Sequence, residues 1–117
     1  MKYQGSCHCK TILFEFESEI ITDALQCNCS ICIRKNAIMT NHYIEPYAFN
    51  LLKGEEHLAV YHWGDHDVNH YFCKNCGIYP FHSTTYEPKN YRVNLGCVDS
   101  VDPRNLNILY FDGKNQL

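Results

Sequence analysis

The cysteine pattern constrains this chain more than any other feature. Eight cysteines in 117 residues fall into groups. Cys7-His8-Cys9 is C-x-C, Cys27-Asn28-Cys29-Ser30-Ile31-Cys32 is C-x-C-x-x-C, Cys73-Lys74-Asn75-Cys76-Gly77 is C-x-x-C-G, and Cys97 stands alone. A C-x-x-C knuckle offers two thiolates from one tight turn. Gly77 suits such a turn, because glycine takes positive φ and lets backbone N–H groups approach the sulfurs. A C-x-C at a strand end offers two more. Cys7, Cys9, Cys73 and Cys76 therefore make a complete four-sulfur set for one structural Zn²⁺. They come from segments far apart in sequence, and a metal that closes so long a loop stabilises a chain with a limited core. The alternative is a redox C-x-x-C, but the βαβ context of such motifs is missing.

Cys27, Cys29 and Cys32 remain as a second cluster. Three thiolates resemble a site with three protein ligands and one open position. On Zn²⁺ that position takes a water, a substrate thiol or a carbonyl oxygen. Two other readings stay open. The site is closed by Cys97, His42, His66 or His70, or the cysteines are free, reactive thiols. Arg34 and Lys35 follow at once, and they either offset thiolate charge or hold a carboxylate.

The chain's length suits one domain over residues 1–117. Short alternating runs dominate. Thr11 to Glu17 places Ile12, Phe14 and Phe16 on one face, His57 to Trp63 alternates in the same way, and so does Tyr91 to Leu95. Further strands are expected over Ala24 to Cys27, Ile38 to Tyr43, Phe49 to Leu52, Asn69 to Cys73, Ile78 to His82 and Ile108 to Phe111. Turn signals separate them, among them Lys53-Gly54 and Asp102-Pro103. One helical turn is expected over Ser30 to Asn36, and a loose tail after the last strand. The pattern predicts an all-β fold.

No run approaches the ~20 apolar residues of a membrane helix. Met1 to Gly5 leads into the cysteines without an apolar h-region, so a cytoplasmic location is expected. In that reducing compartment such cysteines bind metal rather than pair as disulfides. The net charge is −3 and no basic run exceeds two residues, which argues against nucleic acid as the partner.

Taken together, the motifs resemble the glutathione-dependent formaldehyde-activating enzyme family, which includes centromere protein V. The resemblance rests on Gly5-Ser6-Cys7-His8-Cys9, on Cys27 to Lys35, on Tyr61-His62-Trp63-Gly64 and on Phe72-Cys73-Lys74-Asn75-Cys76-Gly77. Tyr91 to Cys97 resembles the strand near that family's C-terminal end, and the likeness spans roughly residues 5–112. It implies a β-tent: several small antiparallel sheets clamped at a zinc centre. It implies that Cys7, Cys9, Cys73 and Cys76 hold the structural zinc, and that Cys27, Cys29 and Cys32 hold a second, exchangeable zinc. Glutathione would engage at the second site, with Cys29 as the thiol contact. The implied reaction condenses formaldehyde with glutathione to S-hydroxymethylglutathione, classed as a carbon–sulfur lyase. The chain departs from the family pattern in having little after the last strand, and in carrying Asn36-Ala37 where many members have a small or glycine-rich pair.

On this reading Arg34 and Lys35 pair with the two carboxylates of glutathione. His42, His62, His66 and His70 are the candidates for the general acid that protonates the developing alkoxide. His8 and His82 are expected to be structural. The competing reading is a non-catalytic, zinc-stabilised binding module or glutathione carrier. A nucleic-acid-binding zinc ribbon ranks last, because the aromatics lack interleaved basic residues.

Overall fold

The structure is a computed structural model, and it describes residues 1–62 and 67–116. Among these residues ten short strands form three small sheets, with a short helix at the second cysteine cluster. The first sheet has the order β1 (Lys2–Ser6), β2 (Leu13–Glu17) and β5 (Phe49–Lys53). The second pairs β10 (Asn107–Phe111) with β3 (Asp23–Cys27), and β3 with β4 (Met39–Thr40). The third runs β6 (Leu58–Tyr61), β7 (Val68–Cys73), β8 (Phe81–Thr84) and β9 (Tyr91–Val93). All pairings are antiparallel except β10 with β3, which is parallel, so the second sheet is mixed. The predicted all-β class holds, and one parallel pair departs from an all-antiparallel tent.

Period-two burial explains why the sheets meet. Ile12, Phe14 and Phe16 are buried to within 1 %. They share one buried cluster with Phe49, Phe81 and Val93 from the other strands and with Leu95 just after β9. Aromatic rings stitch the sheets: Phe14 meets Phe81 edge-on at 5.5 Å, and Phe49 stacks on Tyr91 at 4.1 Å. Burying each such side chain contributes roughly 1.5–3 kcal/mol.

Several boundaries differ from expectation for identifiable reasons. β1 is a full strand, although Gly5 interrupts its pattern. A Cβ at Gly5 would lie 2.5 Å from Phe14 Cζ and 2.6 Å from the Cys97 carbonyl, so only glycine lets β1 cross here. The strand expected from Ile78 begins only at Phe81. Ile78 O instead accepts the Cys73 N–H at 2.9 Å, and Pro80 has no N–H for a ladder. The strand expected over 38–43 shrinks to Met39–Thr40, because the Ile38 carbonyl is taken by Leu95 N at 2.8 Å and Thr40 Oγ1 by Val93 N at 3.1 Å. The tail is not loose. Gly113–Gln116 form a helical turn, α2, whose Lys114 N–H donates to Asn28 Oδ1 at 2.9 Å. Trp63 and His66 lie outside the described residues. No helix among the described residues is long and apolar enough to cross a membrane.

Candidate metal centres and cavity

The turn after β1 and the knuckle after β7 bring four sulfurs together. The Sγ atoms of Cys7, Cys9, Cys73 and Cys76 all lie within 4.8 Å of one another and could hold a metal ion. Cys7 to Cys9 measures 3.6 Å and Cys9 to Cys73 measures 3.7 Å. Four sulfurs at about 2.3 Å from a tetrahedral Zn²⁺ stand about 3.8 Å apart, so the donor set fits that ion. The same separations are far beyond a disulfide's ~2.05 Å, and all eight cysteines are free.

The local backbone explains the convergence. Gly77 sits at φ 77°, and its N–H donates to Cys73 O at 2.8 Å, closing the knuckle. The N–H groups of Ile12 and Asn75 point at the sulfurs of Cys7 and Cys73, each at 3.4 Å. The Thr11 hydroxyl beside Cys9, at 3.1 Å, helps pull that thiol down to about 5. Burial pushes Cys7 the other way. Cys97 belongs to neither cluster among the described residues. Burial pushes its thiol up to about 12, and the nearby charges of Cys7 and Cys76 add to this. It neighbours the first cluster and does not complete the second.

The second cluster is local. Cys27 ends β3, Cys29 caps α1 (Ser30–Lys35) and Cys32 lies within it, with their sulfurs within 4.8 Å of one another. The carbonyl of Cys29 starts the helix by accepting the Ile33 N–H at 2.9 Å, and Asn36 ends it in the left-handed region at φ 51°. Asparagine tolerates that conformation, which supplies the turn a glycine would otherwise give. Asn28 anchors the loop from outside by donating to Asp112 Oδ1 at 3.0 Å. Burial opposes ionisation of Cys29, but the N–H groups of Cys32 and Ile31 and the adjacent thiols outweigh it, and its thiol is lowered. Burial pushes Cys32 up to about 12.

All three of these cysteines line a cavity of about 320 Å³ between the second and third sheets. Its wall also carries Lys35, His70, His82 and Arg92. None of the first cluster's cysteines lines it. Of the predicted cation pair, the helix turns only Lys35 inward. Arg34 is exposed, and its Nη1 donates to Ser30 O at 2.7 Å and to Ser30 Oγ at 3.3 Å. Among the histidines proposed as acids, His70 reaches the cavity, whereas His42 and His62 are exposed and lie elsewhere. His8 is exposed beside the first cluster.

The sequence reading missed three residues here. Arg92 reads only as part of the Tyr91 to Cys97 strand, Tyr79 as an ordinary strand residue and His82 as structural. The Tyr79 hydroxyl is hydrogen-bonded to Nδ1 of His70, and to Nδ1 of His82 at 2.9 Å. A phenol has one proton to give. At most one ring can therefore accept it at Nδ1, so at least one donates its own Nδ1–H to the phenol oxygen. Burial, reinforced by the charges of Lys35, His70 and Arg92, keeps His82 well below the usual imidazole range and so neutral. Burial brings Lys35 down to about 8 against the pull of the three thiols.

A strand-built scaffold with one four-sulfur cluster and one three-sulfur cluster open to a cavity defines a class of small cysteine-clamped β-proteins. The sequence model of the glutathione-dependent formaldehyde-activating enzyme family matches residues 2–110, and the chain belongs to that family. It is also similar to the crystal structure of a Rhodobacter sphaeroides protein solved as a structural-genomics target. The two are 33% identical with a TM-score of 0.78, and the match covers 93% of this chain and 100% of the other.

Proposed function

We propose that the protein joins a thiol, with glutathione as the family's thiol, to formaldehyde at the Cys27–Cys29–Cys32 end of the cavity. It would act as a zinc-dependent carbon–sulfur lyase of the S-hydroxymethylglutathione synthase type. The observation that carries this reading is the contrast in access. Three sulfurs, one short of a tetrahedral set, line a cavity, while the other four make a complete set that lines no part of it.

When bound at the second cluster, Zn²⁺ supplies a Lewis-acidic position that favours the thiolate form of an incoming thiol. The residues do the rest. Cys27, Cys29 and Cys32 fix that position, and the cavity wall holds the thiol against the carbonyl carbon, converting an encounter into a held geometry. In the addition the sulfur forms a bond to carbon and the C=O π electrons move to oxygen. The proton lost by the thiol is returned to that oxygen. His70, with Tyr79 and His82 behind it, is the proton source within the cavity. Tyr79 is a positioning residue, since its hydroxyl orients both rings. The four-sulfur cluster of Cys7, Cys9, Cys73 and Cys76 holds the structural Zn²⁺ and takes no part in the reaction.

The test is the rate of exchange between glutathione and ¹³C-formaldehyde, measured by NMR with zinc-loaded protein. The wild type should exceed the uncatalysed rate, and Cys29→Ala should return it to background. A wild-type rate equal to the uncatalysed one would rule out catalysis and favour a thiol carrier.

A further inference from the structure

Only two buried side-chain nitrogen or oxygen atoms lack a hydrogen-bond partner among the described residues, Lys35 Nζ and Arg92 Nε. Buried donors are almost always paired, so two exceptions in one molecule need a physical reason. They come from unrelated elements, α1 and β9, yet both residues line the same cavity as the three-cysteine cluster. Among the described residues, no aspartate or glutamate lines that cavity to serve as their counter-ion.

Each cation is held in place by contacts that leave the donor in question unpaired. Lys35 Nζ lies over the Tyr79 ring, 3.9 Å from its centroid. The Arg92 guanidinium lies over the Tyr43 ring at 4.1 Å, and Nη2 donates to Asn41 O at 3.3 Å, leaving Nε unused. Ring faces stabilise such cations while keeping their N–H groups directed elsewhere. The two cations also oppose each other, since Arg92 disfavours the charged form of Lys35. Holding two like charges beside one small cavity costs free energy unless an anion joins them.

We propose that Lys35 and Arg92 form a carboxylate-binding subsite, so that the cavity selects small thiols that also carry a carboxylate. Two unpaired donors on two cations lining one cavity equal in number the two oxygens of one carboxylate, which would engage them through charge-assisted hydrogen bonds. The inference rests on the reading that a thiol is taken at the Cys27–Cys29–Cys32 cluster, and it makes Arg92, not Arg34, the partner of Lys35. It departs from simple offsetting of thiolate charge, a role for which Lys35 alone would serve.

Calorimetry on the zinc-loaded full chain separates the possibilities with three probes: 3-mercaptopropionate, its methyl ester, and propionate. The ester keeps the thiol and nearly the same size but lacks the charge. The wild type should bind 3-mercaptopropionate at least tenfold more tightly than the ester, as expected for charge-assisted bonds. Lys35→Met and Arg92→Gln should each erase that preference while ester binding and zinc content stay unchanged. Cys29→Ala should abolish ester binding. If the wild type binds acid and ester equally, the subsite is overturned and thiol binding stands. The subsite is likewise overturned if Lys35→Met loses zinc while Arg92→Gln keeps the preference, because Lys35 then only balances the thiolates. If neither thiol engages the cysteines but propionate binds in an Arg92-dependent way, the subsite stands and the thiol reading fails. If none of the three probes binds, both fail. Should either variant not fold, the acid-to-ester ratio on the wild type decides alone.

Discussion

Cys7, Cys9, Cys73 and Cys76 reach one another from turns on two different sheets, whereas Cys27, Cys29 and Cys32 come from six consecutive residues. The first cluster borders the core: Cys7 and Cys73 are exposed by 1 % and 0 %, and Cys9 and Cys76 are half-buried against it. The second sits at the end of a short helix and opens on a cavity. The difference lies in what each cluster can be asked to do. Sulfurs brought from distant parts of the chain fix the relative positions of sheets, and losing one loosens the scaffold. Sulfurs from one local turn hold no sheets together, so they are free to change ligation without unfolding the protein.

The largest expected effect separates the two clusters by stability. Cys73→Ala should abolish a cooperative thermal transition by circular dichroism, because a structural zinc contributes about 10 kcal/mol or more, of the order of a whole domain's stability. Cys29→Ala should keep its fold and melt close to the wild type. Equal melting of the two variants would erase the distinction between the clusters.

A smaller effect distinguishes positions around the first cluster. Gly54 has φ 94°, and a Cβ there would collide with the carbonyl oxygen of Thr11, the same threonine whose hydroxyl bonds Cys9. Gly77 also has positive φ, but its missing Cβ would meet nothing within 4 Å. Gly54→Ala should therefore cost about 2–4 kcal/mol in denaturant unfolding, against about 1–2 kcal/mol for Gly77→Ala.

The second cluster is expected to respond in affinity rather than stability. Asn28 ties its loop to Asp112 and to the Lys114 N–H. Asn28→Ala should weaken zinc at that site about 10–100-fold in competition with a chromogenic chelator. The first site should keep its affinity. The mildest effect falls behind the cavity. Tyr79→Phe removes the hydroxyl shared by His70 and His82, which should cost about 1–3 kcal/mol of stability. It should lower the exchange rate, with both clusters still retaining metal. An unchanged rate would confine Tyr79 to a structural role.

How much of this was legible in the sequence follows from the range of the interactions. The cysteine groups and the period-two runs are local patterns, so the four-sulfur set, the three-sulfur set and most strands could be read from spacing. The strand ends could not. Ile78 and Ile38 look like strand residues, and only the distant partners of their carbonyls, Cys73 and Leu95, stop the ladders there. The cavity cations show the same limit. Arg34 adjoins the cysteine motif in sequence but points out of the helix, while Arg92 is remote in sequence and adjacent in space. Tyr79 joins His70 and His82 only because β7 and β8 pair with His70 opposite His82. Its role depends on register, which no single segment specifies.

The division between a scaffold zinc and an exchangeable zinc is open to one decisive titration. Zinc per chain would be followed by elemental analysis during stepwise chelation, with circular dichroism at each step. Two zinc ions per chain are expected. One should leave early while the sheet signal is unchanged, and the second should leave only as the fold is lost. Two ions that leave together with unfolding, or a chain that stays folded with neither, would contradict that division.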